Sequence, residues 1–381
     1  MAPSRQQRIL GALLGVHAGD SFGAAHEFQS WDAIRKSFPP NGRIPRAITG
    51  GGPFHWSPGH ATDDTDMTRA VLLAYREANR SGGDTDTFLS VSQAAGKHML
   101  QWFSGDGWPG RPDGTRPKDV GGATADGLHR FARQAKRDPR RAGAGAGRCG
   151  NGSLMRCIPT ALFARDHVRL LQETALISAI THDDGRCVLA CVAYNVMVRA
   201  LVGDDATEAT EATTPAAAVQ RALDVLRDPT TTDVIVAALT GDDGRPPPDT
   251  SARSTLAAHR DEVVAAIDKA RGADFDVGVL ADVGPHKAVL ASGDKCLRLA
   301  GNGYVLESLS LAVAAVLDTQ RSWEDLIVDV VRVGRDTDTN GAISGGLVGA
   351  RDGVDAIPAA WRTKLQFRHE FTTLVGTMGH E

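Results

Sequence analysis

Two short blocks in which carboxylates alternate with hydroxyls stand near opposite ends of the chain. They are Ala61-Thr62-Asp63-Asp64-Thr65-Asp66 and Gly334-Arg335-Asp336-Thr337-Asp338-Thr339-Asn340-Gly341. Carboxylates one or two residues apart repel one another, so a fold that brings both blocks into one cleft needs compensating positive charge. If they share a site, the ends of the chain fold together as one unit.

Hard divalent cations supply such charge. Every candidate ligand in the blocks is oxygen, with neither His nor Cys, which favours magnesium or manganese over zinc or copper. Asp63, Asp64, Asp336 and Asp338 sum to four negative charges, the amount that two Mg²⁺ or Mn²⁺ ions would neutralise. Thr62 and Thr339 flank them as neutral oxygen ligands. A plainer reading stands beside this one: a Thr-Asp-Asp run before Met67, Val71 and Leu72 is also an ordinary helix start, where a hydroxyl caps free N–H groups and acids suit the positive end. The Asp-Thr-Asp-Thr run between Val331-Arg332-Val333 and a Gly- and Ala-rich helix exceeds what capping requires.

The chain has 381 residues, enough for a substantial core, and 42 Lys and Arg stand against 46 Asp and Glu. That balance carries neither a nucleic-acid footprint nor a polybasic membrane patch, and suits a small-molecule or exposed side-chain substrate. Cys149, Cys157, Cys187, Cys191 and Cys296 form no regular framework, and the N-terminus lacks a charged-then-apolar signal segment. Reduced cysteines in an intracellular, cytoplasmic, monomeric protein are expected. Cys187 and Cys191 lie in an apolar helical run, as small buried hydrophobes do. No apolar stretch is read as reaching the roughly 18 residues that span a bilayer.

Helical spacing of Ile9, Leu13, Leu14 and Val16 predicts a helix over residues 5 to 28, with Gly11, Gly15 and Gly19 permitting close approach of a neighbour. If that helix persists past Gly23, Asp20 and Glu27 share one face and Glu27 joins the cleft. Residues 29 to 61 and 104 to 123 read as loops. Helices are expected from Met67 to Glu77, Thr87 to Phe103, Val168 to Ile180, Arg186 to Leu201, Tyr304 to Leu317, Trp323 to Val333 and from near Ala342. Residues 203–219 and 241–252 read as surface excursions of a single domain over 1–381. The fold class expected is all-α, with Gly- and Asp-rich loops gathered at one end.

Four stretches resemble the ADP-ribosylglycohydrolase family in order and spacing. They are Gly11 to Phe28 with Gly-Asp-Ser-Phe-Gly and Glu27-Phe28, Thr62 to Thr65, Gly150-Asn151-Gly152-Ser153 with Met155-Arg156, and Gly334 to Gly349 with Ile357-Pro358 and Trp361. Thr181-His182 and Gly303 to Glu307 add to the likeness. The resemblance implies a single orthogonal helical bundle with a binuclear magnesium or manganese cleft. It implies hydrolysis at the anomeric carbon of the distal ribose of an ADP-ribosylated protein or a small ADP-ribose ester.

By the same resemblance Thr62, Asp63, Asp64, Asp336, Asp338 and Thr339 ligate the metals, and Glu27 lies beside the distal ribose as a catalytic group with Asp336. Asp119 contacts substrate, Gly150, Asn151, Gly152 and Ser153 receive the diphosphate on exposed N–H groups, and His182 lies near the ligand. The sequence departs from the family at Arg335, where a small residue is usual. An ion pair with a nearby carboxylate explains it simply; a fork that reads an extra anionic group explains it more sharply. Hydrolysis of ADP-ribose 1″-phosphate, and a non-catalytic ADP-ribose-binding or structural protein, are the alternatives.

Overall fold

Glycine at every fourth position sets the architecture of the chain's ends. The structure, a computed structural model, describes residues 2–80, 87–203, 213–241, 253–272, 275–284 and 303–378. Among these the regular structure is helical and no strand forms, as the sequence predicts. Residues 1–65, 197–219 and 265–381 make one compact unit, and residues 66–196 and 220–264 make a second.

In the first unit the helix Arg5–Gly23 runs against the helix Thr337–Asp352 with almost no side chain between them. A Cβ added to Gly15 would lie 2.2 Å from the carbonyl oxygen of Gly345, and one added to Gly19 would lie 2.0 Å from that of Gly341. The pattern is reciprocal, since Gly345 meets Gly15 and Gly341 meets Gly19. Pairing Gly11 with Gly349 at one end and Gly23 with Thr337 at the other makes the helices antiparallel. Backbones this close gain dispersion contacts that bulkier residues would prevent. The flanks are sealed by Leu13, Leu14, Val16, Phe22, Leu347 and Val348, all buried. Trp323, which heads the helix Trp323–Arg332, donates its indole N–H to the Gly345 carbonyl at 3.0 Å.

The first helix ends at Gly23, not at residue 28. The Thr337 hydroxyl donates to the Gly23 carbonyl at 2.7 Å, and a turn carries the chain to Phe28. Likewise the last glycine-rich helix begins at Thr337, ahead of the expected Ala342, so Asp338 and Thr339 lie in its first turn. Residues 29 to 61 are not wholly irregular, because Ser30 caps a short helix, Trp31–Ser37, by accepting from the Ala33 N–H.

The second unit is built on the helices Phe88–Ser104, Gly122–Arg133, His167–Ala179 and Pro229–Thr240, with most of Gly185–Val202. Its core holds Trp102, Leu128, Phe131, Leu170, Leu176 and Tyr194. Thr87 opens the helix Phe88–Ser104 with a capping box to Ser90. Gly185–Val202 does reach 18 residues, with mean hydropathy 1.5, correcting the expectation that no apolar stretch is so long. It is 89% buried, as a core helix would be. Cys187 and Cys191 on it are buried and, with Cys149 and Cys157, free thiols; Cys296 lies outside the described residues. So do 204–212 and 242–252 of the expected excursions, whereas the helix Pro215–Arg227 starts within the first of them.

Candidate functional site

Residues 61–65 of the first acidic block and the whole of the second meet inside the first unit. The helix Asp63–Arg80 begins within the first block, and the Thr62 hydroxyl accepts from the Asp64 N–H at 3.3 Å, so the plain capping reading is correct as far as it goes. That hydroxyl also lies 3.2 Å from Asp64 Oδ2, and the Thr339 hydroxyl reaches the same oxygen at 3.3 Å. Thr62, Asp64, Asp338 and Thr339 are buried, while Asp63 and Asp336 are half-buried. Glu27 is buried, and a carboxylate oxygen of it lies within 4.8 Å of one from Asp338.

Asp20 is the residue that the sequence reading left out of the site. It is fully buried, and its Oδ2 accepts from the N–H groups of Thr62 at 3.1 Å and Thr65 at 3.3 Å and from the Thr65 hydroxyl. One carboxylate thereby fixes the loop that presents Asp63 and Asp64. The available signal was its seven-residue separation from Glu27, which pointed to Asp20 as well as to Glu27.

So many acids in a dry site raise one another's proton affinity. Burial first, then the charges of Asp63, Asp20 and Asp336, pushes the Asp64 carboxyl well above the usual carboxylate range. Burial, followed by Asp64, Glu27, Asp336 and Asp20, does the same to Asp338. Asp20 is pushed up to about 7 by burial, against the bonds from Thr65 and Thr62.

The Oδ1 atoms of Asp20, Asp64 and Asp338 are buried and have no hydrogen-bond partner. An orphaned buried carboxylate oxygen is costly, and three of them in one cluster of hard donors fit divalent cations. Two neutral threonine hydroxyls complete an all-oxygen donor set. Asp338 also stands in the first turn of its helix, where the positive end of the dipole favours negative charge.

Arg335 is exposed and adopts φ +73°, a left-handed conformation that suits glycine better than arginine. Its N–H donates to the Gln29 carbonyl at 2.6 Å, and its carbonyl accepts from the Phe28 N–H at 2.7 Å. Phe28 is left-handed too, at φ +63°, and 63% exposed. Two non-glycine residues in this region, bonded to each other beside Glu27 and Asp336, mark a backbone that the surroundings hold in place. Among the described residues Arg335 forms no ion pair, so the simple explanation for it is not what the structure displays.

The other expected contacts belong to the second unit. Gly150–Ser153 forms a short 3-10 turn, Asn151–Ser153, wrapped around His182. A Cβ on Gly152 would lie 2.9 Å from His182 Cε1, so only glycine lets the loop settle on that ring. Arg156 donates to the Gly152 carbonyl at 2.7 Å and to the Thr181 hydroxyl at 2.7 Å, and that hydroxyl lies 2.7 Å from His182 Nδ1. Ser178 donates to Ser153 at 3.0 Å. His182 is buried, and desolvation, then Arg156 and Arg148, lower its pKa to about 3, which keeps it neutral. Asp119 is half-buried in the irregular segment ahead of Gly122–Arg133.

Comparison with known proteins agrees with this architecture. The sequence model of the ADP-ribosylglycohydrolase family matches residues 1–380. The ADP-ribosyl-[dinitrogen reductase] glycohydrolase of Rhodospirillum rubrum is 27% identical over 369 residues, which cover 97% of this chain and 93% of that protein. The ADP-ribosylarginine hydrolase Tri1 of Pseudomonas putida (strain GB-1) is 26% identical over 374 residues, covering 96% and 76% of the two chains. A solved chain described as an ADP-ribosylglycohydrolase-related protein complex superimposes with a TM-score of 0.59 at 24% identity, over 98% of both chains, and so shares the fold.

Proposed function

Because this chain belongs to the ADP-ribosylglycohydrolase family and is a hydrolase of ADP-ribosylated substrates, we propose that it releases ADP-ribose by a divalent-metal-dependent attack of water at the anomeric carbon of the distal ribose. The observation that carries the metal reading is the set of buried Oδ1 atoms of Asp20, Asp64 and Asp338 without partners. Thr62, Asp63, Asp64, Asp336, Asp338 and Thr339 would hold two Mg²⁺ or Mn²⁺ ions. Such ions, when bound, lower the pKa of water and stabilise charge on attacking and leaving oxygens. The family match over residues 1–380 supports one catalytic domain.

The side chains then divide the remaining work. Asp63, Asp64, Asp336 and Asp338 match four positive charges; of the two further carboxylates Asp20 is committed to the Thr62–Thr65 turn, so Glu27 is the one to move a proton at the leaving group or to gate the ribose. Asp20 holds the Thr62–Thr65 turn and lies outside the proton path. Gly150, Asn151, Gly152 and Ser153 receive the diphosphate on their N–H groups, with His182 and Arg156 setting the shape of that loop from behind. Asp119 bonds the substrate.

The Pseudomonas putida relative is named an ADP-ribosylarginine hydrolase, which favours arginine as the leaving group here. Arg335 supports a second reading, hydrolysis of ADP-ribose 1″-phosphate, because its guanidinium is exposed beside Asp336. A panel of arginine-, serine-, acetyl- and phosphate-linked ADP-ribose, assayed for free ADP-ribose with Mg²⁺ and Mn²⁺, tests both. No release from any member with either metal would defeat the proposal. On the phosphate-linked substrate Arg335→Gly should lose activity selectively; equal loss on all substrates would remove that role. The free thiols support an intracellular setting.

A further inference from the structure

Away from the acidic cluster, the first unit contains a cavity with the opposite chemistry. A cavity of about 560 Å³ is lined by Arg35, Arg43, Arg46 and Arg332, with Asp282 and Asp329 as the acids on its wall. The size is that of a small-molecule pocket, commonly about 300–1,000 Å³. None of these residues takes part in the site described above.

The partners of each group show which charges remain for a ligand. Arg332 is buried and saturated: it donates to the carbonyls of Gly42 at 3.1 Å and Asn41 at 2.9 Å, to Asp282 at 2.7 Å and to Asp329 at 2.6 Å. Asp329 is also bonded by Arg321 at 2.8 Å. Both acids of the wall are therefore engaged by guanidinium groups. Arg46 is half exposed and pairs with Asp325 at 2.6 Å.

Arg35 and Arg43 differ from these. Arg35 donates to the backbone carbonyl of Asp282 at 2.7 Å and stacks 4.7 Å from the ring centre of Trp31, so its position is fixed without a carboxylate neutralising it. Gly42, at φ +66°, leaves the room it needs, since a Cβ there would lie 2.9 Å from Arg35 Cγ. Arg43 is exposed and, among the described residues, has neither an ion-pair nor a hydrogen-bond partner. A fixed guanidinium beside an uncommitted one, on a wall whose acids are already bonded, is an arrangement for a fork-binding anion.

We propose that this cavity binds a phosphate-bearing small anion, with Arg43 and Arg35 as its principal contacts and Arg332 as the strut that holds the Asn41-Gly42 turn in place. The inference is independent of the hydrolytic reading, because it uses no residue of the acidic cluster.

Calorimetric titration of the full chain with inorganic pyrophosphate at fixed ionic strength, without divalent metal and without ADP-ribose, which would itself compete for a phosphate site, tests it. Wild type should bind one equivalent. Arg43→Gln, whose side chain supports nothing else, should weaken binding on the order of tenfold with an unchanged melting temperature. Arg35→Gln should weaken binding likewise, with a lower melting temperature because the Asp282 carbonyl bond and the Trp31 stack are lost. Titration with ADP distinguishes the sources: tighter binding than pyrophosphate assigns the anion to a nucleotide, and equal binding assigns it to a free phosphate, either of which supports the site. Absence of pyrophosphate and ADP binding by the wild type, or binding unchanged in both variants, would overturn it.

Discussion

Asp20 shows how one side chain can organise a site without belonging to the motif that announces it. Its Oδ2 accepts two backbone N–H groups and a hydroxyl from Thr62 and Thr65. Asp20→Ala should cost about 3 kcal/mol, because charge-assisted bonds are lost and buried donors are left unsatisfied; it should also weaken Mn²⁺ binding. Denaturant melts and manganese titration read the two effects, and loss of neither would mean that the turn holds itself. Glu27→Gln separates proton transfer from folding: turnover should fall with an altered pH profile while the melting temperature stays, and an unchanged profile at full turnover would exclude the role. His17 provides the pH prediction. It is fully buried between Phe367 and Phe371, and desolvation lowers its pKa to about 3. The unfolded chain therefore binds the proton first as pH falls below the ordinary histidine value. Stability is fully present above that value and declines toward pH 3 by about 1.4 kcal/mol per pH unit from this residue. Urea melts from pH 7.5 to 4 should be flatter for His17→Phe, and identical slopes would refute the assignment.

At the scale of elements, the paired helices Arg5–Gly23 and Thr337–Asp352 decide the site's geometry. Gly15→Ala places a methyl carbon 2.2 Å from a backbone carbonyl that cannot turn aside. It should cost upwards of about 3 kcal/mol and lower metal affinity together with stability. By contrast, Gly376→Ala enters open space within Arg368–Met378 and should add about 0.5–1 kcal/mol by helix propensity. Thermal melts of the pair test whether close approach or propensity governs these glycines; equal effects would contradict the packing account. The small residues at 11, 15 and 19 made the first helix's close packing legible in the sequence, and hydrophobic periodicity made eight of the seventeen α-helices among the described residues legible, but not others such as Trp31–Ser37, Gly122–Arg133 and Pro229–Thr240. Their ends were less so. Capping by Ser30, the stop at Gly23 and the start at Thr337 depend on tertiary partners, such as the Thr337 hydroxyl on the Gly23 carbonyl, that periodicity does not encode. The acidic blocks were legible because alternating Asp and Thr is chemically unusual. Asp20 was legible only through its seven-residue spacing from Glu27, a signal that presumes a helix continuing past Gly23, where it in fact ends.

For the whole molecule, the constraint read at the outset holds: segments separated by more than half the chain fold into one unit, and Thr339 touches Asp64 within it. Cations that bind the folded cluster and not the unfolded chain stabilise by mass action, so the melting temperature should rise with Mn²⁺ concentration. The most direct test is a titration of chelator-stripped protein with Mn²⁺, followed by electron paramagnetic resonance, with release of ADP-ribose assayed on the same samples. Two equivalents should bind and restore turnover, and Asp64→Asn and Asp338→Asn should lose both binding and turnover. Full turnover in the stripped protein, or two equivalents bound equally well by both variants, would contradict metal-dependent hydrolysis at this cluster.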